Sequence, residues 1–163
     1  MMAKALTQPE TERTVTERVR RQDVSAGSRG TPSDAALGNM EYVRRLWEAF
    51  KSGGVPAMAA LVPPDVEWRP SEAGGRALHG TEDLERFWCS REIVMPTLRM
   101  FHGRGDDVLV EAEYERDDGS VRTVWLLYRF NGATLLEAIA FPDEAEARAY
   151  LPPPALGTRD IDV

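Results

Sequence analysis

Two periods of apolar residues divide the chain. In "NMEYVRRLWEAFKSGG", Met40, Val43, Leu46, Trp47 and Phe50 recur at three- and four-residue spacing, which predicts a helix stopped by Gly53 and Gly54. "VPAMAALVPPD" predicts a short second helix with Pro56 in its first turn and Pro63 and Pro64 at its end. "DVEWRP" follows as a short strand centred on Trp68. Beyond a Gly-rich loop, "HGTEDLERFWCSREIV" predicts a third helix. Thr81 is its N-cap, acids fill its first turn, and Leu84, Phe87, Trp88 and Arg91 form one face.

The second half changes to the period of strands. "TLRMFHGR", "DVLVEAEYE", "SVRTVWLLYRF" and "ATLLEAIAF" alternate or run apolar, separated by the turn signals Gly105-Asp106-Asp107, Asp117-Asp118-Gly119 and Asn131-Gly132. Connections this short make antiparallel neighbours. Asp143 with Glu146 three residues on predicts the start of a closing helix, which runs to Tyr150 before three prolines. The fold class is therefore α+β: helices packed on one face of a curved antiparallel sheet.

Alternation then assigns faces. Val108, Val110, Ala112 and Tyr114 point inward, because Glu111, Glu113 and Glu115 on the other side belong in water. Val124, Leu126, Tyr128 and Phe130 share that inward face, and Trp125 and Leu127 fall on the outer one. His102, in phase with Leu98 and Met100, is expected inside, as are Leu136, Ala138 and Ala140. An outer face this apolar suggests a homodimer formed through Trp125 and Leu127, with packing beneath the C-terminal tail as the alternative.

Residues 1–37 carry almost no large apolar side chains and cannot offset the entropy of ordering, so they read as a flexible tail. The domain is 38–151, and 152–163 is a second tail. Up to Leu37 there are six Lys/Arg and five Asp/Glu; the other fourteen basic and twenty-two acidic residues leave the remainder at net −8. An acidic body repels phosphate backbones and anionic lipid, so neither nucleic acid nor membrane is an expected partner. No apolar run approaches the roughly 18 residues of a membrane span. The N-terminal stretch lacks the apolar core of a secretory signal, and its acids argue against a transit peptide. The single cysteine, Cys89, forms no internal disulfide and is expected to be an inert, half-buried thiol. A cytoplasmic location is the expectation. His79 belongs to a surface loop and lies far from His102 in sequence. With no cysteine pair, the two make no zinc site, and no metal or cofactor is expected.

The order "YVRRLWEAFKSGG", "DVEWRP", "HGTEDLERFW", "VWLLYRFNG" and "FPDEAEARAYL" resembles the SnoaL-like branch of the nuclear transport factor 2-like superfamily over about residues 39–151. The resemblance implies a cone of curved sheet around helices, an apolar cavity at its open end and a homodimer. It spans ketosteroid isomerases, polyketide cyclases, limonene epoxide hydrolases and domains without known chemistry, so function has to be argued from the site.

Carried over residue by residue, the isomerase base falls at Trp68, its tyrosine at Leu46 and its protonated acid at Leu126. All three chemical groups are missing. The epoxide hydrolases' Arg-x-Asp matches Arg116 and Asp118, but those lie in a hairpin turn, and the partner acid falls at Ala140. The candidate acid/base groups left are His102, Tyr114 and Tyr128. Leu46, Trp68, Trp88, Met100, Ala112, Leu126 and Ala140 are the candidate ligand-binding residues around a small apolar molecule. Two functions stay open: a cyclase, isomerase or hydrolase acting on a hydrophobic or polyketide-like substrate, or a non-catalytic ligand-binding or dimerisation module.

Overall fold

The computed structural model describes residues 34–70, 76–89, 94–153 and 161–163. Residues 1–33 and 154–160, which hold most of both expected tails, lie outside the described residues, as does Arg91 of the third helix. Helix α1 (Asp34–Ala59) begins before the expected boundary at residue 38, and Ala36 is already buried. Its helical course is broken at Gly54, whose φ of 68° and ψ of −159° only glycine adopts readily. The two helices expected on either side of the Gly-Gly pair are therefore two arms of one bent element.

Strand β1 (Glu67–Arg69) and strand β2 (Leu78–His79) pair antiparallel, and helix α2 (Gly80–Cys89) follows at once. Gly80 makes that sharp junction possible. Its φ is +73°, its N–H donates to Val66 O at 2.8 Å, and a Cβ there would sit 2.5 Å from the Pro64 carbonyl oxygen. The remaining sheet is the predicted meander: β3 (Thr97–Arg104), β4 (Asp107–Glu115), β5 (Val121–Asn131) and β6 (Thr134–Phe141). Helix α3 (Glu144–Tyr150) closes it, with Asp143 Oδ1 accepting from the Glu146 N–H at 3.0 Å as the capping pattern predicts. Arg116 to Ser120 form the solvated hairpin turn expected of them, with Asp118 Oδ1 accepting from the Ser120 N–H.

Strand order is β2-β1-β6-β5-β4-β3-β7, where β7 (Ile161–Asp162) comes from the expected C-terminal tail and pairs with the edge of β3. One pairing departs from the antiparallel rule: β1 runs parallel to β6, setting Trp68 beside Ala138. Two clusters fill the two faces. The inner one joins α1 and α2 to Val108, Val110, Ala112, Val124, Leu126, Tyr128 and Phe130. The outer one sets Leu109, Trp125, Leu127, Ile139 and Phe141 against Ala147 and Leu151 of the α3 region. Asn39, 2% exposed, ties α1 to two hairpin turns by donating to Asp106 O at 2.8 Å and Gly132 O at 2.9 Å.

The outer cluster fills the apolar face that carries Trp125 and Leu127. Leu127 is fully buried and Trp125 nearly so, because α3 folds back over them within the same chain. Two irregularities correct the expected faces. Between Leu98 and Phe101 the register of β3 against β4 shifts, so Arg99 and Met100 oppose Glu111 alone. This bulge reverses the phase of alternation. Phe101 turns inward to the core, His102 turns outward, and Met100 is 42% exposed. A second shift leaves Leu136 as an extra residue, exposed rather than inward, while Ala138 and Ala140 keep their inner positions. Cys89 is exposed, not half-buried.

Candidate functional site

A small apolar recess lies where α1, β1, β4 and α2 converge. The last full turn of the first arm of α1 supplies Trp47 and Phe50, packed edge to face with ring centroids 5.7 Å apart. The bend at Gly54 brings Met58 of the second arm to the same place. Trp68 comes from β1, Tyr114 from β4, Trp88 from the end of α2, and the exposed Val94 completes the lining. About 10 Å³ is open to the centre of a water-sized sphere, the room of one water.

Behind the recess stands Tyr128. It is fully buried, its hydroxyl accepts a hydrogen bond from Trp47 Nε1 at 2.7 Å, and its ring meets Trp68 edge to face at 6.2 Å. Burial drives its phenol far above the ordinary value; the Trp47 bond opposes this and the neighbouring Tyr114 adds to it. Tyr128 therefore holds its proton at any physiological pH. In this structure its hydroxyl is the acceptor that ties α1 to the sheet.

His102 is on the other side of the sheet. Its ring lies 5.9 Å from that of Trp125, and its Nδ1 meets the Asp162 carboxylate of β7. It cannot reach the recess. Of the three candidate acid/base groups, only Tyr114 lines it.

Of the seven candidate ligand-binding residues, Trp68 and Trp88 line the recess. Leu46, Ala112 and Leu126 are buried members of the surrounding core, Ala140 packs against it half-buried, and Met100 faces solvent. Trp47, Phe50, Met58 and Val94 were not expected there. Trp47 and Phe50 carry a legible signal, since they end an amphipathic face just before a Gly-Gly break. Nothing local distinguishes Met58 or Val94.

The positions matched to isomerase chemistry are apolar in space as well as in sequence. Trp68 sits beside Ala138, and Leu126 pairs with Ala140. Carboxylates do gather on the outer face, in a band of ion pairs. Arg69 meets Glu67 at 2.5 Å and Glu137 at 3.4 Å, and Arg129 meets Glu137 at 3.6 Å and Asp107 at 3.7 Å. Each of these acids has an arginine beside it there. Among the described residues no group of His, Cys, Asp or Glu could hold a metal ion, and no helix is long and apolar enough to cross a membrane.

A curved, unclosed sheet carrying its helices on the inner face defines the class: an α+β cone of the nuclear transport factor 2-like kind. Within that class the chain belongs to the SnoaL-like domain family, whose model matches residues 43–137, more than half of the chain. Solved structures agree on the fold. A nuclear transport factor 2-like protein of unknown function from Burkholderia pseudomallei K96243 is 22% identical with a TM-score of 0.54, covering 71% of this chain and 98% of its own. TerC, co-crystallised with polyporic acid, is 18% identical with a TM-score of 0.53, over 69% of this chain and 96% of its own. A protein of ketosteroid isomerase-like fold from Catenulispora acidiphila, in complex with trimethylamine, is 20% identical with a TM-score of 0.53, over 69% and 94%. No curated protein matches the chain.

Proposed function

We propose that this domain binds one small apolar molecule, about the size of a single ring, in the recess, and does no acid–base chemistry on it. The observation that carries this reading is the lining, in which the Tyr114 phenol is the only ionisable group among the described residues. A site without a carboxylate or histidine has neither a base poised near neutral pH nor an activated nucleophile. Two relatives of the same fold hold small molecules, polyporic acid in one and trimethylamine in the other, which supports a ligand-holding use of the cone. Entry of a ring requires Val94, on the exposed rim, and the flexible Met58 to move aside. The enzymatic alternative, a cyclase, isomerase or hydrolase, rests on Tyr114 alone.

Toluene titration followed by the indole N–H resonances tests the reading. Trp47, Trp68 and Trp88 line the recess and Trp125 lies on the opposite face. Saturable shifts of the first three with Trp125 unmoved are expected. Shifts that never saturate, or that centre on Trp125, would remove the recess as a binding site. Turnover of a hydrophobic substrate abolished by Tyr114→Phe in a folded protein would decide for the enzyme.

A further inference from the structure

Trp88, one of the residues lining the recess, carries a polar group whose hydrogen bond is unmade. Trp88 Nε1 is buried and has no acceptor among the described residues. The contrast with Trp47 is informative, because that indole N–H, from the same lining, is bonded to Tyr128. A buried donor left without an acceptor is costly, and native interiors rarely leave one so. A water in the recess would repair this poorly. It would need about two to four polar partners to be held well, and the walls are aromatic and aliphatic. The position is also suited to a ligand, since Trp88 stands at the end of α2, with Phe87 edge-on at 5.4 Å fixing its ring.

We propose that the missing acceptor arrives with the ligand, and that Trp88 is the specificity-determining residue of the recess. It selects apolar molecules carrying a carbonyl or ether oxygen over pure hydrocarbons of the same shape. This inference rests on the recess being the binding site. Discrimination follows the usual asymmetry of polar recognition: a ligand that satisfies the N–H gains a hydrogen bond, whereas a hydrocarbon seals the donor in unpaired.

Acetophenone and ethylbenzene, which share a phenyl ring with a two-carbon side chain and differ by the carbonyl oxygen, make the test. In the wild type, acetophenone is expected to move the Trp88 indole proton downfield, and ethylbenzene to leave it without a downfield shift. The affinity ratio of the two ligands should fall by about threefold to tenfold on Trp88→Phe, which removes the donor and keeps an aromatic ring. Taking the ratio in both proteins cancels the ligands' different costs of leaving water. A ratio unchanged by Trp88→Phe, or equal shifts from both ligands in the wild type, overturns the inference and leaves the recess a binding site. Failure of both ligands to bind overturns the proposed function and this inference with it. Should Trp88→Phe not fold, the wild-type resonance comparison still decides.

Discussion

The Trp47 indole N–H and the Tyr128 hydroxyl meet at 2.7 Å in the interior, joining α1 to the centre of the sheet. Removing the hydroxyl with Tyr128→Phe leaves the Trp47 donor buried and unpaired, a loss of about 1–3 kcal/mol in urea unfolding. The same burial sets the alkaline behaviour. Because the folded phenol is held above its ordinary value of 10.0, the unfolded chain releases the proton first, and stability falls as pH rises past that value. Tyr128→Phe should flatten the decline. An equally steep fall in the variant would place its cause elsewhere; Tyr42, also raised by burial, is the first group to examine.

Asp107 is expected to behave in the opposite way from a stabilising carboxylate. Burial pushes its carboxyl above the usual value of 3.8, outweighing the Phe130 N–H it accepts and the nearby Arg129. The folded state therefore favours the neutral acid, and stability is lost as pH rises through the folded value. Asp107→Asn keeps an acceptor for Phe130 without the charge. It should be more stable than wild type at pH 7 and indistinguishable at pH 3, by denaturant unfolding at both. A variant that is weaker at pH 7 would sink the prediction.

Deletion of residues 161–163 removes the pair of bonds between Phe101 and Val163, N–H to O at 2.9 Å in each direction, together with the Asp162 partner of His102. Amide exchange at Phe101 should accelerate, with a stability loss of about 1–2 kcal/mol. The recess is on the other face, so toluene affinity should stay within about twofold. A larger change would show coupling between the faces.

Asn39 stands far from the recess, yet it joins two turns to α1. Asn39→Ala strips the donor from two carbonyls that water partly reaches, at a cost of about 1–2 kcal/mol in thermal unfolding. No loss of melting temperature would mean that water replaces the amide fully.

The arrangement of elements was legible because it is written in local period and turn chemistry. The four long strands, the break at Gly54 and the Asp143 cap each depend on neighbours within a few residues. The inner face of β4 and β5 was legible for the same reason, as both strands alternate without interruption. The charge pattern of Glu111, Glu113 and Glu115 left only one choice of side.

Tertiary structure alone decided the rest. A bulge at Arg99–Met100 is set by how β3 meets β4, so no local signal warned that His102 would face outward. Burial of Trp125 and Leu127 depends on where α3 lands, and the identity of residue 125 cannot reveal what covers it. The size of the recess is a matter of how Trp47, Trp68, Trp88 and Met58 fill one space, although they are far apart in the chain. Sequence period fixes which way a side chain points along a regular element. Register shifts and long-range packing decide what it meets there.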